Sequence, residues 1–174
     1  MTTVTKATPV KRLLSADAYR RIDREVAKYP SEQKQSAVMA SLTIAQDEIG
    51  WISPAVVDDI ADYLSMPPVA VYEVATFYNM YNMKEVGTWK IGVCTCLPCA
   101  LRQGDTAGEY LKEKLGIDYG ETTPDGRFTL IETECLGSCA DAPICLINDK
   151  RVESFMDNAR LDALIDELKL KNKD

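Results

Sequence analysis

Apolar residues recur every three or four positions through the first half of the chain, which is the spacing of amphipathic helices. Four such segments are predicted, because each is bounded by residues that typically begin or end a helix. The first helix lies between Ser15 and Pro30, and the second between Ser31 and Gly50. Ser53-Pro54 begins the third, and Pro67-Pro68 ends it and opens the fourth, Val69 to Tyr78. The pattern therefore predicts a helical domain over residues 15–82, preceded by a flexible arm over residues 1–14.

Each predicted helix has one apolar face, which we expect to be buried in the core. These faces consist of Ala18, Ile22 and Val26; Val38, Leu42, Ala45 and Ile49; Val57, Ile60 and Leu64; and Val71, Val74, Ala75 and Tyr78. Aromatic residues cluster at the end of the fourth segment, at Phe77, Tyr78 and Tyr81. Such a cluster is more often core than a partner surface, so we assign these three residues to the core.

The periodicity changes near residue 89, where short apolar runs bounded by turn residues predict strands. In order, the pattern predicts a strand (89–94), a helix (100–115), a strand (128–133), two hairpin strands (144–148 and 151–155) and a final helix capped by Asp157 or Asn158. This β-α-β-β-β-α order is typical of a thioredoxin-like domain, here over residues 83–174, whose first two strands run parallel. The predicted fold class is therefore α+β, a helical bundle followed by a thioredoxin-like α/β domain.

Composition narrows the chemistry that the chain can support. Its 174 residues are 46% hydrophobic and 27% charged, as in an ordinary globular protein. The net charge is −7 and no basic cluster is present, so we expect no nucleic-acid binding. The chain has no histidine, which excludes Ser-His-Asp and Cys-His catalysis, zinc sites that need histidine, and Rieske clusters. A metal site would have to be built from cysteine, aspartate or glutamate.

All six cysteines lie in the second half of the chain, at positions 94, 96, 99, 135, 139 and 145. Disulfides usually spread through short secreted chains, and no signal peptide is visible, so we expect free thiols in a reducing compartment. The basic segment over residues 1–14 has features of a short transit segment, but a flexible arm is the simpler interpretation. No apolar run approaches the roughly 18 residues that span a bilayer, so we expect no direct membrane insertion.

Four of the cysteines form two short pairs, each in a loop after a predicted strand. Cys94 and Cys99 have C-x4-C spacing, and Cys135 and Cys139 have C-x3-C spacing. Parallel neighbouring strands end at the same edge of a sheet, so the two loops should meet. A 2Fe-2S core needs four thiolates, two on each iron. Carboxylates that flank the second pair should disfavour the addition of an electron and predict a low reduction potential; they are Glu132, Glu134 and Asp141.

Three other interpretations of the cysteines stay open. Zinc could bind four thiolates, although zinc sites favour C-x2-C pairs on both sides and only one is present. That pair, Cys96-Leu97-Pro98-Cys99, follows a strand and opens a helix, where thioredoxins carry a redox-active dithiol. The cysteines could also be buried, unreactive thiols. We interpret Cys145 as a strand residue, because its neighbours are apolar, and Cys96 as a thiol beside the ligands.

Five segments of the chain resemble one known family. They are A-Q-D-E-I-G-W-I-S (45–53), V-Y-E-V-A-T-F-Y-N-M-Y (71–81), V-C-T-C-L-P-C-A-L-R (93–102), G-E-T-T-P-D-G (120–126) and E-C-L-G-S-C-A-D-A-P (134–143). From about residue 15 to residue 168, the chain is similar to the small thioredoxin-like 2Fe-2S subunit of respiratory NADH:quinone oxidoreductase, complex I, which is its E-type subunit in bacteria. Position by position, the resemblance makes the cluster ligands the four cysteines that spacing indicates. The family commonly has a polar residue at the position of Cys96 and an apolar one at that of Cys145.

The resemblance implies an electron-transfer subunit with one 2Fe-2S cluster that exchanges electrons with FMN, beside the main series of clusters leading to quinone. It implies that a larger flavoprotein partner binds the FMN and NADH. The chain has no G-x-G-x-x-G or Walker A motif, so we expect no nucleotide site and no independent active site on it. The implied location is the bacterial cytoplasm, peripheral to the inner membrane, with the mitochondrial matrix second. Similar subunits of NAD-linked formate dehydrogenases and hydrogenases are the alternative, which the segment over residues 71–81 disfavours.

Overall fold

The computed structural model describes residues 12–171, in two compact units that divide between Glu85 and Val86. The first unit is helical and the second is built on a sheet, so the predicted α+β class is confirmed. Helices α1, α2, α3 and α4 of the first unit span Ala16–Val26, Val38–Ile49, Pro54–Leu64 and Pro68–Phe77. Within residues 12–171, none of the helices combines the length and the apolar character needed to cross a membrane.

Serine side chains begin two of these helices, as predicted. The hydroxyl of Ser15 accepts a hydrogen bond from the backbone N–H of Ala18 at 3.1 Å, and that of Ser53 accepts one from Val56 at 3.3 Å. Each bond satisfies an N–H group that has no partner within the first helical turn. Gly50 ends α2 with a φ of 96°, a left-handed conformation that glycine adopts without steric cost.

The predicted start of the second helix at Ser31 is wrong. Ser31–Ala37 form a 3-10 segment with non-helical backbone at Gln33 (φ −118°, ψ 32°), and α2 begins only at Val38. The side chains of residues 31–36 are all exposed. Because short helices depend on burying an apolar face, nothing in this segment stabilises the α-helical form.

The first core is built largely from the predicted apolar faces, although Ile49 at the end of α2 is exposed. Ile22, Leu42 and Ile60 are almost fully buried. The side chain of Tyr81 is also buried, and its hydroxyl donates a hydrogen bond to the Met39 carbonyl at 2.9 Å. Tyr81 is therefore a core residue, as predicted.

The other two aromatic residues that we assigned to this core are exposed. Phe77 is 80% exposed and Tyr78 is 38% exposed. The reason is the orientation of α4, whose buried residues are Val71 and Ala75. Phe77 lies on a different face of this helix, and Tyr78 follows its last residue in an extended conformation.

Residues 12–14, which the sequence pattern assigns to a flexible arm, are held in place. The buried carboxylate of Asp59 accepts hydrogen bonds from the Arg12 guanidinium at 2.9 Å and from the backbone N–H of Leu13 at 3.0 Å. It also accepts a hydrogen bond from the hydroxyl of Tyr19. The side chain of Leu14 is buried. The rest of the predicted arm, including the transit-segment alternative, lies outside the described residues.

The second unit contains a four-stranded sheet with the order β2-β1-β3-β4. The strands β1, β2, β3 and β4 span Trp89–Cys94, Phe128–Thr133, Cys145–Ile147 and Arg151–Glu153. β1 and β2 are parallel, as predicted, while β3 is antiparallel to both β1 and β4. A parallel pair extended by an antiparallel hairpin supports the thioredoxin-like architecture that the element order predicts.

Two separate helices replace the single one predicted over residues 100–115. α5 spans Leu97–Ala100 and α6 spans Gly104–Leu115, and Gln103 between them is left-handed (φ 69°). This break brings the backbone of Gly104 onto the end of β1. A Cβ atom at Gly104 would lie 2.8 Å from the carbonyl oxygen of Cys94, closer than a side chain tolerates.

The last helix, α7, spans Asn158–Leu170. It begins at the predicted cap Asp157, whose carboxylate accepts a hydrogen bond from the backbone N–H of Arg160 at 2.9 Å. Its apolar face joins α6 and one side of the sheet in the second core. The fully buried members include Ile91, Leu111, Leu130, Leu161 and Ile165. Burial of each such side chain stabilises the folded state by roughly 1.5–3 kcal/mol. This core therefore fixes the positions of β1 and β2, from whose ends the cysteine loops leave.

Candidate metal centre

The two cysteine loops leave the same edge of the sheet. In the parallel pair of β1 and β2, Cys94 lies opposite Thr133, and each is the last residue of its strand. The hydroxyl of Thr95, just after β1, donates a hydrogen bond to the carboxylate of Glu132 at 2.5 Å. This bond links the beginnings of the two loops, as the parallel arrangement predicts.

The first cysteine pair is buried. Cys94 and Cys99 are each only 1% exposed, and they pack with Ala142 and Ile144 in a small apolar cluster. Cys99 lies within α5, where its backbone N–H bonds to the carbonyl of Cys96 at 2.8 Å. The position of both sulfurs is therefore set by the strand end and by the first turn that follows it.

The second cysteine pair is more accessible. Cys135 is exposed and Cys139 is partly buried. Cys139 begins a short 3-10 turn, Cys139–Asp141, and Gly137 between the two cysteines is left-handed (φ 74°). Glycine adopts this conformation without strain, which lets the short connection between the cysteines turn back on itself.

The electrostatic surroundings of the first cysteine pair include the second pair. Burial would raise the pKa of Cys94, but hydrogen bonds outweigh it and lower the pKa; the donors are the backbone N–H of Cys96, the Cys99 thiol, the backbone N–H of Leu136 and the Cys96 thiol. Burial, followed by the hydrogen bond to Cys94, raises the pKa of Cys99 to about 12, and the charges of Cys139 and Cys135 also contribute. A thiolate on Cys94 is thus stabilised by its surroundings. The charges of the second cysteine pair also influence the pKa of Cys99 in the first pair.

The arrangement fits the donor set of a 2Fe-2S cluster. Within residues 12–171, no three Cys, Asp or Glu side chains are grouped so as to hold one metal ion. A 2Fe-2S cluster does not require such a group, because each of its irons takes two protein thiolates and two bridging sulfides. Two pairs of thiols in loops that leave the same edge of the sheet supply four donors of the required type. Cys94, Cys99, Cys135 and Cys139 are the residues that could hold the cluster.

The two remaining cysteines have different surroundings. Cys145 lies on β3 in the core of the second unit, and burial raises the pKa of its thiol to about 12. This position agrees with its interpretation as a strand residue. Cys96 is partly buried and packs against the apolar cluster around Cys94 and Cys99. It is therefore next to the candidate ligands, as its place in the sequence indicates.

Two contributors to the site were not found from the sequence. The backbone of Leu136 helps to lower the pKa of Cys94, although the two residues are far apart in the chain. Gly104 packs against the carbonyl groups of Cys94 and Cys99, where a Cβ atom would lie within 3.0 Å of three backbone atoms. The only signal for Gly104 was a glycine inside a predicted helix, which is unfavourable there unless close packing requires it.

Comparison with known proteins gives one family and several close relatives. The family model for thioredoxin-like 2Fe-2S ferredoxins matches residues 22–169. The E-type subunit of the NADH-quinone oxidoreductase of Rickettsia bellii is 45% identical over 145 residues, which are 83% of this chain and 86% of that protein. The mitochondrial NADH dehydrogenase (ubiquinone) flavoprotein 2 of Dictyostelium discoideum is 41% identical over 150 residues, which are 86% of this chain and 60% of that protein.

The fold also occurs in a solved structure. The NAD+-reducing NiFe hydrogenase in its air-oxidized state matches with a TM-score of 0.67 and 24% identity, over 76% of this chain and 23% of the hydrogenase chain. This chain thus spans about a quarter of that longer one. At this level of identity the likeness is one of fold, and it supports the thioredoxin-like architecture.

Proposed function

The chain belongs to the thioredoxin-like 2Fe-2S ferredoxin family, and on that premise we propose that it transfers electrons through one 2Fe-2S cluster. Cys94 and Cys99 supply two of the thiolates, and Cys135 and Cys139 supply the other two. The observation that carries this proposal is the shared edge of the sheet, where the parallel strands β1 and β2 end and both cysteine loops begin. When bound, a 2Fe-2S cluster takes up and releases one electron at a time.

The residues around the four thiols have distinct tasks in this proposal. Cys94 and Cys99 are buried beside Ala142 and Ile144, so this half of the site excludes water. The backbone N–H groups of Cys96 and Leu136 stabilise negative charge on the sulfur of Cys94. Cys135 is exposed, so its side of the site is open to an electron-transfer partner.

We propose that the chain works as a component of NADH:quinone oxidoreductase, complex I. The 45% identity to the bacterial E-type subunit, over most of both proteins, supports this assignment over the hydrogenase or formate dehydrogenase alternative. In the proposed complex, a larger flavoprotein subunit holds FMN and NADH, and this chain exchanges electrons with the FMN. The chain would then be peripheral to the inner membrane on its cytoplasmic side, with no separate active site of its own.

We further propose that the centre has a low reduction potential. Glu132 on β2 and Glu134 just after it are exposed carboxylates, and the charge of Glu134 acts on Cys96. Negative charge close to the site disfavours the addition of an electron, because the reduced cluster carries one more negative charge.

Replacement of Cys135 tests the ligand assignment, because this side chain is exposed and its loss opens no cavity in the core. We expect the purified chain to be brown, to contain iron and inorganic sulfide, and to give a rhombic S = 1/2 EPR signal after reduction with dithionite. In Cys135→Ser the signal should be lost or strongly altered. The matched controls are Cys96→Ser and Cys145→Ser, which each remove a thiol outside the proposed ligand set and should keep the signal.

Three results would contradict the proposal. An unchanged EPR spectrum in Cys135→Ser would remove this residue from the ligand set. Stoichiometric zinc without iron, in protein prepared without oxygen, would favour a zinc-stabilised interaction module. Colourless protein that reduces insulin disulfides, with the activity lost in Cys96→Ser, would favour a dithiol oxidoreductase that uses Cys96 and Cys99.

Purification of the tagged chain from its own cells tests the proposed partner. The complex I assignment predicts a co-purified flavoprotein that contains FMN, together with NADH-dependent reduction of a quinone by the recovered complex. Recovery with a hydrogenase or a formate dehydrogenase, at equal iron content, would support the alternative assignment and leave the ligand set unchanged.

A further inference from the structure

The side chains of Thr95 and Glu132 join the two cysteine loops where they leave the sheet. The last paired residues of β1 and β2 are Cys94 and Thr133, so backbone pairing between these strands ends there. Thr95 is the first residue beyond that point, and its hydroxyl donates a hydrogen bond to the Glu132 carboxylate at 2.5 Å. A side-chain link therefore continues past the last backbone pair, between the two segments that carry the proposed ligands.

This hydrogen bond connects two residues that are 37 positions apart in the chain. Thr95 is partly buried and directly follows Cys94, whereas Glu132 is exposed and lies just before the second cysteine pair. A hydrogen bond from a hydroxyl group to a carboxylate is shorter and stronger than one between two neutral groups. Threonine is also stiff at χ1, because it is branched at Cβ, so little freedom is lost when its hydroxyl is held toward one acceptor. The pair is thus suited to fix the separation of the two loops.

A 2Fe-2S cluster that is bound by both loops requires this separation to stay constant. Ligands that are already held at the required distance lose less freedom when the cluster binds. If one loop moved away from the other, its thiolates would release their iron. A contact between the loops therefore affects how long the cluster is retained, even when the contact itself includes no ligand.

We propose that the hydrogen bond between Thr95 and Glu132 holds the two cysteine loops at the separation that the 2Fe-2S cluster requires, and thereby slows loss of the cluster. This inference rests on the proposed function, because it takes the two cysteine pairs as the ligands. Thr95 and Glu132 are positioning residues that bind no iron. Their hydrogen bond stabilises the arrangement in which both loops reach one cluster.

The test follows the release of iron from the full-length chain to a chelator, in the absence of oxygen, by the loss of visible absorbance. Thr95→Val removes the hydroxyl at nearly constant shape, and Thr95→Ser retains a hydroxyl. Glu132→Ala and the double variant Thr95→Val/Glu132→Ala complete the set. Because Glu132 is exposed, Glu132→Ala opens no cavity and keeps the test available if Thr95→Val fails to fold. Glu134→Ala is the matched control, since it removes an exposed carboxylate two positions away that is not the acceptor of the Thr95 hydroxyl.

We expect iron release from Thr95→Val to be about fivefold faster than from the parent chain, a factor that corresponds to roughly 1 kcal/mol, as is typical of one hydrogen bond. Thr95→Ser should stay near the parent rate, and Glu134→Ala should match it. The double variant should be no faster than Glu132→Ala, because both substitutions remove the same bond. Equal rates in Thr95→Val and the parent would overturn the inference. So would equal acceleration in Thr95→Val and Thr95→Ser, or effects that multiply in the double variant.

Two outcomes separate this inference from the proposed function. If the parent chain contains no iron and sulfide and gives no 2Fe-2S signal, the proposed function fails, and the inference fails with it. If the parent chain carries the cluster but neither Thr95→Val nor Glu132→Ala releases iron faster, the inference alone fails. That result leaves the proposed ligands and the electron-transfer role intact.

Discussion

The carboxylate of Glu167, on α7, is held by two cations. It accepts hydrogen bonds from the Arg151 guanidinium at 2.6 and 3.2 Å and from the Lys171 ammonium group at 2.7 Å. The bond to Arg151, followed by that to Lys171, lowers the pKa of Glu167 to about 2. In an unfolded chain the pKa of glutamate is about 4.3. Because the folded-state pKa is the lower one, these contacts stabilise the fold above about pH 5, and this contribution disappears as the pH falls toward 2.

Glu167→Gln should therefore reduce the free energy of unfolding at pH 7, and by less at acidic pH. The expected loss at pH 7 is about 0.5–1 kcal/mol, because the side chain is 35% exposed and solvent screens the interaction. Urea unfolding of matched preparations between pH 7 and pH 3 measures the difference. Asp166→Asn is the control, since this more exposed carboxylate lies 3.8 Å from Lys169. A loss in Glu167→Gln that stays constant across the pH range would contradict this prediction.

Arg127 connects the beginning of β2 to the end of α7. Its guanidinium donates to the carbonyls of Leu168 at 3.0 Å and Lys171 at 2.9 Å, and also to that of Lys169. The last carbonyls of a helix have no partner within the helix, and a cation near them also interacts favourably with the helix dipole. A single side chain thus secures the C-terminal end of this helix to the sheet.

Arg127→Ala should destabilise the second unit by about 1.5–3 kcal/mol, the range for hydrogen bonds that involve a charged group. Arg127→Lys keeps the positive charge but replaces the planar guanidinium by an ammonium group, so it should recover only part of the loss. Arg160→Ala is a suitable control, because Arg160 donates to a single carbonyl, that of Ser154, near the other end of the helix. Chemical denaturation measures all three. Equal losses in Arg127→Ala and Arg160→Ala would show that the carbonyls of α7 do not depend on Arg127.

The four proposed ligands all belong to the second unit, so iron removal should act unequally on the two parts of the chain. A bound cluster joins loops about forty residues apart, and a cross-link of that span stabilises a fold by about 2–4 kcal/mol. Trp51 lies in the first unit and Trp89 in the second, so the single-tryptophan variants Trp89→Phe and Trp51→Phe report on one unit each.

After anaerobic removal of iron by a chelator, we expect the unfolding midpoint reported by Trp89 to fall more than that reported by Trp51. Fluorescence during urea unfolding, before and after chelation, measures both. Reconstitution with iron and sulfide should restore the Trp89 transition. Equal changes at the two tryptophans, or no change at Trp89, would argue against a cluster confined to the second unit.

Local interactions explain which features could be predicted from the sequence. The caps at Ser15, Ser53 and Asp157 act over three residues, and the strands that end at Cys94 and Thr133 are marked by short apolar runs, so a single segment carries each signal. The same applies to the spacing of the four proposed ligands. Their assignment stays a prediction, supported by the edge at which the two loops leave the sheet.

The tertiary structure decided what depends on contacts between distant segments. Phe77 has the apolar character of a core residue, but the orientation of α4 leaves it exposed. The helix predicted over residues 100–115 is broken at Gln103, and the backbone of Gly104 then packs against the end of β1. The backbone of Leu136 lowers the pKa of Cys94 only because two parallel strands end side by side. Periodicity and capping are properties of a few consecutive residues, whereas burial and the donors around a sulfur arise only when segments some forty residues apart are packed together.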